Sequence, residues 1–506
     1  MRLLLLVCLC LISTPGIFAQ KTNGPTNVLV LMADDLGWNG VSYHNPKMTT
    51  PALAKLAKEG VQLERFYGYP VCSPARSALL SGMMPRRFGV TGVVGPGQQG
   101  IPKGTATLAS TLQKAGYTTS LIGKWHLGTN PGPLGYGFDH FYGFTGAEVD
   151  YFKHTNQRGQ SDWWRDNKPV EEEGYTTTLF ADEAIKQLKQ RDPKKPFYLQ
   201  VAFNAPHATL AAPKELTDKH KSDGLYNAVV DGLDQGIGRI LAALDEQGLR
   251  ENTLVIFFSD NGASRRMSAN TPLKNGKDTV FEGGIRTPAI VRWPGKAAVS
   301  AVSQQPIAVH DLFPTIFAAL TLPLPGELKL DGSNQWPALS TGKTVPRPAF
   351  LIAMQDIAFI DGDWKIIETS DGQRSLFNLA KDIGEEKDLA SEQGEVLKAL
   401  GTKLDELKKG LPVASAGRGV GPAGKGPGAA GDQDARARPA RALAQLQGGQ
   451  PRLLDGRRAG RGRDGAARGG YPATRRCGFC GGRSRARGGD WCGCAGIIAG
   501  AARYGG

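Results

Sequence analysis

Two apolar runs restrict the architecture open to this chain. Asn27-Val28-Leu29-Val30-Leu31-Met32-Ala33 runs straight into Asp34-Asp35, and Thr253-Leu254-Val255-Ile256-Phe257-Phe258-Ser259 runs into Asp260-Asn261-Gly262. A strand with no polar alternation must be covered on both faces, as in a parallel sheet held between layers of helices. Shorter runs of the same kind span Thr118 to Ile122, Phe197 to Phe203 and Pro288 to Arg292. Between them lie stretches of helical periodicity at Pro51 to Lys58, Ala106 to Ala115, Thr177 to Lys189 and Leu225 to Glu246. The alternation predicts an α/β fold, a large, mostly parallel sheet sandwiched by helices.

At 506 residues the chain exceeds one ordinary domain. After about Pro325 the pattern changes to short alternating segments (Ile357 to Ile360, Trp364 to Thr369, Ser375 to Leu379), followed by a helix from about Glu392 to Lys409. That predicts a small C-terminal antiparallel sheet with one packed helix. The expected division is an α/β domain over 25–325 and a C-terminal subdomain over 326–412. The first nineteen residues, a charged start, an apolar core and a small-residue end at Ala19, read as a secretory signal peptide. The apolar run is too short for a stable membrane anchor, so the expected location is secreted or periplasmic, with no membrane association after cleavage.

The net charge of +14 resembles that of a nucleic-acid binder until it is located. Residues 413–506 hold sixteen Arg and one Lys against five Asp and no Glu, so this tail carries +12 of the total. It consists almost wholly of Gly, Ala, Arg and Pro and lacks the apolar surface to build a core, which predicts disorder. Its abrupt change of composition matches a wrong-frame translation of GC-rich DNA or a non-native extension. A nucleic-acid partner would rest on the tail alone, and none is expected. Cys477-x-x-Cys480 and Cys492-x-Cys494 have spacing compatible with zinc, but the second pair is tight and no His assists.

In open α/β sheets, ligands gather beyond the carboxyl ends of the strands. Asp34-Asp35 and Asp260-Asn261 occupy that edge from two strands far apart in sequence. Three carboxylates and an amide oxygen brought together call for a hard cation, calcium first and magnesium second. Either pair alone would better suit a solvated strand-end turn. Cys72 is the one cysteine between Cys10 and Cys477. Ser73 and Pro74 suit the first turn of a helix, so the thiol sits where backbone N–H groups favour an anion. A buried structural cysteine is the ordinary alternative.

Cys72-Ser73-Pro74-Ala75-Arg76, followed by an apolar pair and Gly82, resembles the C-x-P-x-R signature of the sulfatases. A second signature of that family is matched by Gly116-Tyr117-Thr118-Thr119-Ser120-Leu121-Ile122-Gly123-Lys124-Trp125-His126. Ser81, where the family more often has Thr, Ala or Arg, is a small departure. The resemblance extends from about Asn27 to Leu411 and is strongest toward arylsulfatases of the A and B type and N-acetylgalactosamine sulfatases. It implies that Cys72 is oxidised to Cα-formylglycine by a formylglycine-generating or anaerobic sulfatase-maturating enzyme. It further implies that Asp34, Asp35, Asp260, Asn261 and the modified Cys72 are metal ligands. Arg76 would steady the nucleophile and carboxylates, and Lys124 and Lys277 would bind the sulfate. His207 would protonate the leaving alcohol, and His126 would take the proton that releases sulfate from the enzyme. Lys277 precedes Phe281-Glu282-Gly283-Gly284-Ile285-Arg286-Thr287-Pro288, which resembles the family's E-G-G-x-R-x-P stretch; Lys274 is a rival for its role. His44, His140, His154, His220 and His310 read as structural.

The implied reaction is hydrolysis of sulfated saccharides or aryl sulfates through a covalent sulfate ester on the aldehyde hydrate. Tyr151, Phe152, Trp163 and Trp164 lie in a polar, irregular segment, where they would either stack on sugar rings or pack against the sheet edge. Two alternatives share the residues: a formylglycine-dependent phosphonate monoester or phosphodiester hydrolase, and an inactive saccharide-binding relative.

Overall fold

In the computed structural model, residues 26–412 are described apart from 96, 266 and 267. The signal-peptide reading, the basic tail and its four cysteines fall outside the described residues. One sheet of eleven strands contains β1 (Asn27–Ala33), β2 (Val61–Tyr67), β3 (Thr118–Lys124), β4 (His140–Phe144), β5 (Trp164–Arg165), β6 (Lys168–Pro169), β7 (Phe197–Ala202), β8 (Thr253–Ser259), β9 (Arg286–Arg292), β10 (Ala301–Ser303) and β11 (Ile307–Ala308). The order is β10-β2-β9-β8-β1-β7-β3-β4-β5-β6, with β11 also paired to β2. The two runs that open the sequence argument are neighbours, in parallel register from Asn27 opposite Thr253 to Ala33 opposite Ser259.

Every residue of β1 and β8 is buried, and their side chains alternate between two cores, as strand geometry requires. Val28, Val30 and Met32 face a layer that includes the helices Cys72–Ser81, Leu108–Lys114 and Leu312–Ala319. Leu29 and Leu31 face the helices Pro51–Lys58, Thr176–Gln190 and Leu225–Glu246. β9 differs from the simple parallel pattern, since it pairs antiparallel with both β8 and β2. β2 is not marked by an apolar run because Glu64 and Arg65 interrupt it. Both are buried against distant partners, Glu64 with His44 at 3.1 Å and Arg65 with Asp363 at 2.8 Å.

The C-terminal sheet is an antiparallel meander of β12 (Phe350–Ala353), β13 (Ile357–Asp361), β14 (Trp364–Glu368) and β15 (Arg374–Asn378). One face packs Leu351, Phe359, Ile366 and Leu376 with Leu400 and Leu404 of the helix Gly394–Lys408. The other face, through Ile352, Ala358, Ile360 and Phe377, joins the core of the large sheet. A buried ion triad fastens the junction: Lys365 Nζ lies 2.8 Å from Glu282 and 2.7 Å from Glu385. Among the described residues no helix is long and apolar enough to cross a membrane.

Candidate active site

Strand direction gathers the site. β1, β7, β8 and β3 are mutually parallel, and β2, antiparallel to β9, runs the same way. Their carboxyl ends share one edge. Asp34-Asp35 follow β1, Asp260-Asn261 follow β8, Lys124 ends β3, and His207 lies just past β7. Beyond β2 a short turn leads into the Cys72–Ser81 helix, all of whose residues are buried. Because β9 is antiparallel, its upstream segment with Lys277 returns to the same edge. Two glycines permit the close approaches. A Cβ on Gly123 would stand 1.9 Å from the Ala202 carbonyl oxygen, at a φ of +101°, and one on Gly262 would stand 1.8 Å from that of Gly283.

The side chains converge tightly. The Cys72 thiol donates to Asp34 Oδ1 at 3.3 Å, and Lys277 Nζ approaches Cys72 Sγ at 3.5 Å. Lys124 Nζ donates to Asp34 Oδ2 at 2.5 Å. Lys277 Nζ donates to both oxygens of Asp35, at 2.6 and 2.8 Å. Arg76 donates to the Lys124 carbonyl at 2.8 Å and to Asp260 Oδ2 at 2.9 Å, which ties the helix to β3 and β8 together. Asp260 Oδ1 accepts from the Asp35 N–H at 3.3 Å. Ser73 Oγ donates to the His126 carbonyl at 3.0 Å, and His207 Nε2 stands 3.8 Å from Asp35. Asp35 and His126 hold left-handed backbone angles, φ 65° and 55°, a conformation sparsely used by non-glycine residues and often found at functional sites.

Burial and charge work against each other here. Burial alone would lift the Asp34 carboxyl, but Lys124, His207, Arg76 and Lys277 outweigh it and hold it far below the usual carboxylate range. Burial and the adjacent Asp34 charge push Asp260 up. The same two causes push the Cys72 thiol up to about 12, so the unmodified side chain is a neutral thiol. Burial, then Lys124 and Arg76, hold His126 well below its ordinary value, which keeps its ring neutral.

Four side chains are placed where they could hold a metal ion. Ligand atoms of Asp34, Asp35, Cys72 and His207 lie within 4.8 Å of one another. Asn261 sends its amide nitrogen to Asp35 Oδ1 at 2.7 Å, yet its Oδ1 is buried without a hydrogen-bond partner. A buried amide oxygen left unpaired is costly, and a cation beside it removes that cost.

A family model described as Sulfatase matches residues 26–322. The chain belongs to the sulfatase family. It is 35% identical over 368 residues to human (Homo sapiens) N-acetylgalactosamine-6-sulfatase, covering 66% of this chain and 70% of that one. It is 32% identical over 339 residues to mouse (Mus musculus) arylsulfatase J, covering 63% and 57% respectively. Among solved structures, that of Ps i-CgsB in complex with k-i-k-neocarrahexaose superposes with a TM-score of 0.73 at 28% identity, covering 77% of this chain and 94% of that one. The PsFucS1 sulfatase from Pseudoalteromonas sp. superposes at 0.68 with 26% identity, covering 77% and 92%.

In this sulfatase every site residue expected from the sequence lies at the same sheet edge. Lys277, not Lys274, reaches the centre; Lys274 donates to the Glu385 carbonyl at 2.8 Å and stacks over Phe281. His310 hydrogen bonds Tyr69, and His44, His140, His154 and His220 likewise have partners outside the centre. Of the aromatics, Tyr151 and Trp163 are core residues, and Phe152 alone is well exposed, at 42%. Two contributions escape the motif reading. Ser73 links Cys72 to the His126 turn. Glu148, 3.7 Å from His207 Nδ1, lies in an irregular segment with no periodicity to mark it.

Proposed function

We propose that this sulfatase releases inorganic sulfate from sulfated saccharides, with a formylglycine made from Cys72 as its nucleophile and calcium as its cation. The observation that carries the reading is the buried, unpartnered Oδ1 of Asn261, whose amide nitrogen donates to Asp35 of the same carboxylate pair that meets Cys72. Relatives named for a sulfated amino sugar, and a solved neighbour holding an oligosaccharide, support a saccharide as substrate. When present, the aldehyde hydrate supplies an oxygen nucleophile and the cation offsets the charge of the sulfate oxygens.

The chain's own groups supply the rest. Lys124 and Lys277 present ammonium donors at the centre, held by Asp34 and Asp35 respectively, and so favour charge developing on the sulfuryl group. Arg76 holds Asp260 and the β3 terminus in register with position 72. His207, partly open to solvent and flanked by Asp35, delivers a proton from Nε2 to the departing alcohol. His126, neutral and with both ring nitrogens free of hydrogen-bond partners, takes the proton that frees sulfate. Conversion of Cys72 requires a maturing enzyme as partner.

The test combines mass and rate. The tryptic peptide spanning Cys72 in active enzyme should show the aldehyde, and Cys72→Ala should lower sulfate release at least ~10³-fold with the fold retained. Active enzyme carrying only the thiol, or wild-type rates in the variant, would overturn the mechanism.

A further inference from the structure

His207 stands between two carboxylates. Its Nε2 faces Asp35 of the charged centre at 3.8 Å, and its Nδ1, which hydrogen bonds the Ala208 carbonyl, lies 3.7 Å from Glu148. Glu148 therefore lies beyond the proposed leaving-group acid, on its Nδ1 side and away from Asp35. Its side chain is 20% exposed, and among the described residues His207 is its one ion-pairing neighbour. The segment that carries it is held at both ends. Asp162 accepts from the Thr145 and Gly146 N–H groups at 3.1 and 2.7 Å, and Tyr151 donates to the His207 carbonyl at 2.9 Å. Tyr151 thus couples the Glu148 segment, which no helix or strand contains, to the His207 turn.

A carboxylate beside a site that binds a sulfate anion does not help to bind that anion. Among the described residues its charge is met on the protein side by His207 alone, and a donor brought by the substrate would meet it from the open side. Given the saccharide reading above, on which this inference rests, the available donors are sugar hydroxyl or amide N–H groups near the esterified carbon. We propose that Glu148 determines specificity by accepting a hydrogen bond from a hydroxyl or amide N–H of the sulfated sugar unit. By the same charge it disfavours a second sulfate or a carboxylate at that position. Attraction to the right neighbour and repulsion of the wrong one act through one side chain.

The experiment compares kcat/KM of wild type, Glu148→Gln and Glu148→Ala on two sulfated monosaccharides. One has free hydroxyls flanking the sulfate ester, and the other carries a second sulfate on the adjacent carbon; p-nitrophenyl sulfate is run in parallel. Wild type should prefer the monosulfated sugar. In Glu148→Gln that preference should fall roughly ten- to hundredfold, because the charged acceptor is lost and the repulsion disappears together. Glu148→Ala should reduce it further on the monosulfated sugar, with KM carrying most of the change. Equal losses on both sugars in both variants would overturn the inference alone. Turnover of p-nitrophenyl sulfate by wild type with neither sugar hydrolysed would overturn the saccharide reading, and this inference with it.

Discussion

At the scale of single residues, the centre balances buried negative charge against buried positive charge, and each removal has a direction. Asn261→Ala deletes the unpartnered oxygen and the amide that braces Asp35. Calorimetric titration should show calcium affinity at least ~10-fold weaker, with thermal stability of the calcium-free protein little changed. Arg76→Ala should be harsher. It leaves Asp260 and Asp34 buried and facing each other without the guanidinium, and removal of one partner from a buried charge pair costs about 3–5 kcal/mol. A drop in the urea midpoint corresponding to less than ~1 kcal/mol would show that Arg76 acts on catalysis alone. Gly123→Ala tests the close approach of β3 to β7: with Ala202 oxygen 1.9 Å from the added Cβ, the strands must part. Activity should fall with stability, since Lys124 is the next residue.

At the scale of elements, the buried triad between the two sheets should govern the pH dependence of folding. Burial, and then the neighbouring Glu282 charge, push Glu385 up to about 7 despite Lys365. Its carboxyl is therefore best accommodated when protonated. The stability it contributes is complete below its unfolded value of 4.5 and fades as pH rises through about 7. Glu385→Gln should flatten the stability profile between about pH 4.5 and 7, removing a slope of at most about 1.4 kcal/mol per pH unit in chemical denaturation. An unchanged slope would place the titration elsewhere. The same elements show what the sequence makes legible. β1 and β8 are readable because every residue is apolar, and the Leu225–Glu246 helix because its periodicity is long. β2 escapes because Glu64 and Arg65 are satisfied by residues up to 298 positions away, and local patterning carries no trace of such partners. Asp34, Asp35, Cys72, Arg76, Lys124, His126 and His207 could be singled out because strand ends and the two signatures mark them. Glu148 could not, because an irregular segment offers no period and no motif.

At the scale of the whole molecule, the site residues span positions 34 to 277, and the last helix of the C-terminal sheet ends at Lys408. A chain ending at Pro412 should therefore keep both sulfate release and thermal midpoint, measured beside the full-length protein. Loss of either would assign residues 413–506 a part in the enzyme. The burial of Cys72 also has a consequence in time. The thiol is 2% exposed in a helix with no exposed residue, and Lys277, which closes over it, follows 205 positions later in the chain. At synthesis rates of about 5–20 residues per second, roughly ten to forty seconds separate the two. An enzyme that alters position 72 has that interval in which to reach it. Once β8 and β9 have joined the sheet, the segment around Cys72 is part of a buried helix, and an enzyme that must grip that segment would have to act before then.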